Sequence, residues 1–307
     1  MRHVSIISPV FNEEGNIAAF ALAVKETMQD LPYSYSLIFI DDGSSDGTLD
    51  AIKQTACRER SIQFVSLSRN FGHQSALKAG LDMAQGDCVI SLDGDMQHPV
   101  DLIPAMLEKF ESGYDIVYTI RKDNEKLPLL KRKTSGLFYW LINRLSDIRI
   151  EKGSADFRLY SRRVADIISS LPEHDLFFRG LSKWVGFKQI GIEYEARNRL
   201  SGCTKYTFRK MLNFALFGIS SFSTKPLYIA AYLGFAFSLL SILYLPYVAY
   251  SYFFGYTISG WASVIVTIAF FGGLQLMILG IIGVYIGRLF IQSKNRPVYI
   301  VKESSIR

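Results

Sequence analysis

Short apolar runs alternate with amphipathic stretches through the first 120 residues. Val4–Ser8, Leu37–Ile40, Ile62–Leu67, Cys88–Leu92 and Ile116–Tyr118 are rich in Val, Ile, Leu and Phe and read as strands. Between them, Asn16–Gln29, Thr48–Arg58, Ser75–Ala84 and Leu102–Glu111 show helical spacing, with Ser45 or Asp46 as a cap for the second. Strand–helix alternation with near-continuous apolar strands predicts an α/β fold. Its sheet is expected to be mostly parallel and covered by helices on both faces.

The pattern then changes. No Asp, Glu, Lys or Arg occurs between Lys225 and Arg288. Two helices are predicted, over about 227–254 and 261–290, each longer than the ~20 residues a membrane span needs. The short connection Gly255–Gly260 makes them an antiparallel hairpin, with Pro246 a candidate kink in the first. The expected organisation is a globular domain over 1–205, a juxtamembrane amphipathic helix over 206–226, a transmembrane hairpin over 227–292 and a tail over 293–307. The alternative for Tyr206–Ser221 and for Leu137–Leu145 is packing against the globular core.

Charge sharpens this division. The net charge is +6, yet after residue 200 nine basic residues face the single acid Glu303. The basicity thus flanks the apolar segment, which points to a membrane surface and away from nucleic acid. Positive flanks on both sides of an uncharged loop predict that both termini and the globular domain face the cytoplasm. Cys57, Cys88 and Cys203 form no paired pattern, which excludes a disulfide scaffold and a cysteine zinc site. Gly283-x-x-x-Gly287 matches a small-residue helix-packing motif, so a homo-oligomer is an open possibility.

Polar motifs lie at the ends of the predicted strands: Pro9–Glu13, Asp41–Asp46, Arg69–Gly72 and Asp93–Gln97. Ligands of open α/β sheets bind at that edge. No Walker A or GxGxxG loop is present. In Asp93-Gly94-Asp95-Met96-Gln97 an extended chain would turn both carboxylates and Gln97 one way. Two adjacent carboxylates repel unless a cation or proton lies between them, and oxygen ligands suit Mg²⁺ or Mn²⁺. The tripeptide alone reads more readily as a solvated turn; its place at a strand end beside the other loops favours a metal site.

Taken together, SPVFNEEGNI (Ser8–Ile17), DDGSSDGT (Asp41–Thr48), LDGDMQHP (Leu92–Pro99), SADFRLYSR (Ser154–Arg162), RLSGCTKY (Arg199–Tyr206) and GVYIGR (Gly283–Arg288) resemble the GT-A inverting nucleotide-sugar glycosyltransferases. Within them the chain is most similar to the polyprenyl-phosphate branch that glucosylates bactoprenol (undecaprenyl) phosphate. The resemblance implies a GT-A, Rossmann-like fold and glucose transfer from UDP-glucose to undecaprenyl phosphate for O-antigen or other envelope glycans. It places Pro9, Asn12, Glu13, Asp41, Arg69 and Asp93 at the donor, and Asp93, Asp95 and Gln97 at the metal. Arg121, Arg132, Arg199 and Lys205 fall near the phosphates, and Asp156 near the reacting sugar; a solvated surface charge is the alternative for each basic residue. Val284 stands where the family commonly has Glu, and Thr204 where Ser is common. No QxxRW motif is found, so one sugar per turnover is expected. Another donor, such as GDP-mannose or a modified arabinose nucleotide, and a non-catalytic membrane scaffold are the competing readings.

Overall fold

A computed structural model describes residues 2–122, 144, 151, 153–174, 176–195, 223–254 and 260–306, without the side chains of 245, 248, 249, 252 and 261–263. The chain divides into two compact units, one formed by 1–143, 148–211 and 296–307, the other by 144–147 and 212–295.

The first unit is built on an eight-stranded sheet of order β7-β5-β6-β4-β1-β2-β3-β8. The strands are β1 (His3–Val10), β2 (Ser34–Asp41), β3 (Ile62–Leu67), β4 (Cys88–Ser91), β5 (Ile116–Arg121), β6 (Ser154–Ser161), β7 (Gln189–Tyr194) and β8 (Val301–Ser304). β1 pairs in parallel with β2 and β4, β2 with β3, and β5 with β7. β6 runs antiparallel between β4 and β5, and β8 antiparallel to β3. The expected mostly parallel α/β sheet is therefore present. The stretch 293–307, read from sequence as a tail, carries β8.

The helices of this unit are α1 (Ile17–Met28), α2 (Thr48–Arg58), α3 (His73–Met83), α4 (Ile103–Glu111), α5 (Arg162–Ser170) and α6 (Phe178–Trp184). Alternation along β1 and β2 sends Val4, Ile6, Leu37 and Phe39 into one core with Ile17, Phe20 and Val24 of α1, Ile52 of α2 and Met106 of α4. On the opposite face α3 lies close to the sheet: a Cβ at Gly80 would come within 2.8 Å of Ile40 Cδ1 and 3.0 Å of Ile7 Cβ. α3 begins two residues earlier than its spacing predicted. Gly47 stands at the N-cap of α2 in place of the expected Ser45 or Asp46; Asp46, one residue earlier, accepts the Thr48 N–H at 3.1 Å.

α3 buries one charge. Lys78 donates to Asp82 Oδ1 and Oδ2 at 2.5 and 2.8 Å and to the Ser169 carbonyl at 2.7 Å, using every ammonium proton. Tyr299, just before β8, donates to the same Asp82 at 2.9 Å. β8 is further held by the Lys53–Glu303 ion pair at 2.8 Å.

The second unit contains α7 (Lys225–Phe253), which runs through Pro246, and α8 (Trp261–Ser293). Both are long and apolar enough to cross a membrane. Phe237 of α7 packs edge-on against Phe270 and Phe271 of α8 at 6.0 and 5.6 Å. Ser223, just before α7, accepts the Tyr285 hydroxyl at 2.6 Å near the far end of α8, so the two helices run antiparallel. Large apolar side chains such as Phe235 and Leu276 stand exposed on these helices.

Candidate active site

The Asp93–Gln97 segment leaves the sheet directly after β4. Leu92 N–H still donates to Ile7 O, and the chain then turns through Gly94 and Asp95, with Met96 at φ 59°. The segment is thus a turn rather than the extended run the i, i+2 argument assumed. Its convergence is local: Asp95 accepts the Gln97 backbone N–H at 3.1 Å and the Gln97 side-chain amide on its other oxygen. Gly94 permits the turn to lie on β1, because a Cβ there would sit 2.6 Å from Val10 Cγ1. The hydroxyl of Ser8 lies at the same place, buried and with no hydrogen-bond partner.

Two imidazoles flank Asp93. His73 Nε2, at the start of α3, lies 3.5 Å from Oδ1, and His98 Nε2 lies 3.4 Å from Oδ2. His73 Nε2 is also 3.8 Å from Asp156 Oδ2. Asp156 reaches this edge because β6 runs antiparallel, which brings the start of β6 to the edge where β4 ends. It is held by Arg179 of α6, Nε on Oδ1 and Nη2 on Oδ2, both at 2.9 Å. Burial works to raise the Asp156 pKa, but the Arg179 guanidinium outweighs it and holds the carboxyl at about 2. Tyr194, the last residue of β7, bonds His98 Nδ1 at 2.8 Å through its hydroxyl. Burial pushes the Tyr194 pKa up to about 12, so the phenol keeps its proton at neutral pH.

The remaining expected residues divide into three groups. Asp41 is buried and already engaged, accepting the Ser44 N–H at 3.0 Å and the Ser66 hydroxyl at 2.9 Å. Its neighbour Asp42 accepts the Phe71 and Gly72 N–H groups, and burial raises its pKa. These two acids tie together the loops after β2 and β3. Asn12, at φ 55°, accepts the Ser45 N–H at 2.9 Å, and its own N–H and that of Glu13 donate to Ser44 and Thr48 side chains. Pro9 is buried in β1 opposite Ile40. Arg69 is exposed, with its guanidinium 4.1 Å above the Phe71 ring. Arg121 ends β5, paired in register with Tyr194. Arg132, Arg199 and Lys205 lie outside the described residues.

His73, His98, Arg179 and Tyr194 complete the cluster, and none stood out in the sequence. His98 had a signal, since it directly follows Gln97 in the same motif. His73 had the same kind of signal, directly following the Arg69–Gly72 motif, whereas Arg179 and Tyr194 reach the site only through the strand order.

The site suits a hard divalent cation in its donors. Two carboxylates and a side-chain amide share one turn, beside an unpartnered hydroxyl and a position kept free of a side chain. Among the described residues no three His, Cys, Asp or Glu groups close into a cage. An oxygen-rich set with positions left open is what an ion shared with a phosphate ligand needs.

The glycosyl transferase family 2 profile matches residues 5–168. An uncharacterized glycosyltransferase of Bacillus subtilis is 42% identical over 306 residues, covering 99% of this chain and 95% of its own. The SfII prophage-derived bactoprenol glucosyl transferase of Shigella flexneri is 42% identical over 302 residues, 98% of each chain. Among solved structures, a mannosyltransferase from Pyrobaculum calidifontis in complex with GDP-Man and Mn²⁺ superposes with a TM-score of 0.50 at 17% identity. That match covers 71% of this chain and 63% of the other, and it shows the shared fold.

Proposed function

Because the chain belongs to glycosyl transferase family 2, we propose that it transfers glucose from UDP-glucose to undecaprenyl phosphate with inversion, giving β-glucosyl-phosphoryl-undecaprenol. The observation that carries this is that Asp93 and Asp156 both lie against His73 at one sheet edge, where the turn after β4 also holds Asp95, in a chain alike over nearly its whole length to a bactoprenol glucosyl transferase. Mg²⁺ or Mn²⁺ would be held by Asp93, Asp95 and Gln97 and would supply positive charge for the departing diphosphate.

The acceptor phosphate has its own ionised oxygen near neutral pH, its second pKa being about 6. It attacks the anomeric carbon and UDP leaves from the opposite face. A strong protein base is therefore unnecessary. Asp156 fits that economy: Arg179 keeps it anionic and fixed, so it orients the sugar or His73 and does not collect a proton. Asn12, Glu13, Asp41 and Arg69 shape the nucleotide end. Arg121, with Arg132, Arg199 and Lys205, meets the phosphates of donor and acceptor.

The membrane arrangement follows the same logic. α7 and α8 form a hairpin in the bacterial inner membrane, and the catalytic domain faces the cytoplasm, where the nucleotide sugar is. Pairing of β8 with β3 supports this, since residues before and after the hairpin share one sheet and an even number of crossings must separate them. The basic flanks, Lys205, Arg209, Lys210 and Lys225 before and Arg288, Lys294 and Arg296 after, favour the cytoplasmic side.

The decisive experiment supplies radiolabelled nucleotide sugars and undecaprenyl phosphate to membranes carrying the protein, with and without EDTA. Label from UDP-glucose is expected in the lipid fraction and is lost on chelation. Transfer from GDP-mannose or an arabinose nucleotide instead would reassign the donor, and no transfer from any donor would refute the reading.

A further inference from the structure

Asp93 has an imidazole beside each of its carboxylate oxygens, and the two imidazoles are not equivalent. His73 is 41% exposed in its side chain, whereas His98 is 14% exposed. The His98 ring lies between Phe157 and Tyr194, with centroids at 5.7 and 5.6 Å. Its Nδ1 is 2.8 Å from the Tyr194 hydroxyl, and its Nε2 faces Asp93 Oδ2 at 3.4 Å. Tyr194 is fixed in turn: it is 5% exposed, sits opposite Arg121 in the β5–β7 ladder, and its carbonyl accepts the Lys122 N–H at 2.9 Å.

A phenol that donates to Nδ1 makes that nitrogen the acceptor, so the ring proton of a neutral imidazole resides on Nε2. That places an N–H toward one oxygen of Asp93 and leaves its other oxygen free of His98. Groups that orient a metal-ligating side chain from behind commonly change metal affinity 10–100-fold when removed.

We propose that His98, with its tautomer set by Tyr194, is a positioning residue that fixes the Asp93 carboxylate for the divalent ion. The edge strand β7 thereby reaches the metal site through a phenol–imidazole–carboxylate chain. The proposal rests on Asp93 being a metal ligand, as in the function proposed above.

The test measures Mn²⁺ alone binding to the purified full-length protein in detergent, by electron paramagnetic resonance titration without any substrate. Wild type, D93N, H98F, H98Q, Y194F and the H98F/Y194F double variant are compared. Y194F, which removes one oxygen from a ring that stays in place, is expected to weaken Mn²⁺ about tenfold, and H98F about 10–100-fold. H98Q, which returns an amide N–H toward Asp93, should recover part of the loss. The double variant should bind no worse than H98F, since both residues act through one chain.

Y194F and H98F binding Mn²⁺ within about twofold of wild type, while D93N loses it, would overturn the positioning role and leave the metal reading intact. Additive losses in the double variant would also overturn it, because a shared chain forbids them. D93N binding as wild type would refute the metal reading itself, and the proposal with it. If H98F does not fold, Y194F carries the test.

Discussion

Arg179 grips both carboxylate oxygens of Asp156 from a helix that follows it in the chain, each contact 2.9 Å long. The pair joins α6 to β6 where the catalytic edge begins. Breaking it from one side strands a buried charge. R179A is therefore expected to cost about 3–5 kcal/mol of stability, and R179K less, since it keeps the charge and loses the fork. Denaturant unfolding of both variants beside wild type measures this; equal stabilities would show the pair to be dispensable.

The same contact sets a pH dependence. The folded Asp156 pKa, about 2, lies below the ordinary carboxylate value. Its contribution is complete above about pH 4 and fades as the pH falls toward 2, on the order of 2 kcal/mol in all. Asp42, raised by burial, acts in the opposite sense. Melting curves of wild type and D156N between pH 2 and 6 isolate the Asp156 part: the gap between them should narrow on acidification.

Asp95 is steadied by Gln97 and has no basic partner among its hydrogen bonds. D95N should fold normally and lose about 10²–10³-fold in transfer rate, because under the proposed function it misplaces the divalent ion whose positive charge meets the departing diphosphate. Single-turnover transfer at saturating metal, with a melting temperature as control, reads both. Full activity in D95N would remove Asp95 from the site.

Gly43 has φ +68°, and a Cβ there would lie 2.4 Å from the Arg69 carbonyl carbon. Main-chain atoms cannot swing aside, so G43A must push apart the loops after β2 and β3 that Asp41 and Asp42 hold together. Donor affinity is expected to fall about tenfold or more, with a stability loss of about 1–3 kcal/mol. Isothermal titration with UDP and a thermal melt test this, and wild-type UDP affinity would count against the loops' role.

Removal of 296–307 takes away β8, the Tyr299–Asp82 bond and the Lys53–Glu303 pair. It leaves β3 as an unprotected edge, and edge strands recruit other chains. A lower melting temperature and higher-order aggregates on size exclusion are expected; an unchanged monodisperse protein would contradict this.

These residues also show what a sequence can disclose. β1 to β5 were legible because each carries a short, near-continuous apolar run between helical stretches. β6 was not, since Asp156 and Arg158 break its run, and only the folded chain shows them paired with Arg179 and with Ser154 and Ala155. β8 is four residues of alternating exposure at an edge, too short and polar to declare itself. The Asp93–Gln97 motif disclosed its acids and offered a turn as one reading of the tripeptide, but not the positive φ of Met96 that goes with it. Arg179 and Tyr194 joined this edge only once β6 was inserted backwards between β4 and β5.

The pairing of β8 with β3 has an implication for biogenesis. The last strand of the catalytic sheet is synthesised after both apolar helices, so the domain begun by the first residues stays unfinished until those helices have been translated. A chain halted before β8 emerges would carry an open sheet edge, so completion of the sheet reports that both helices have been made.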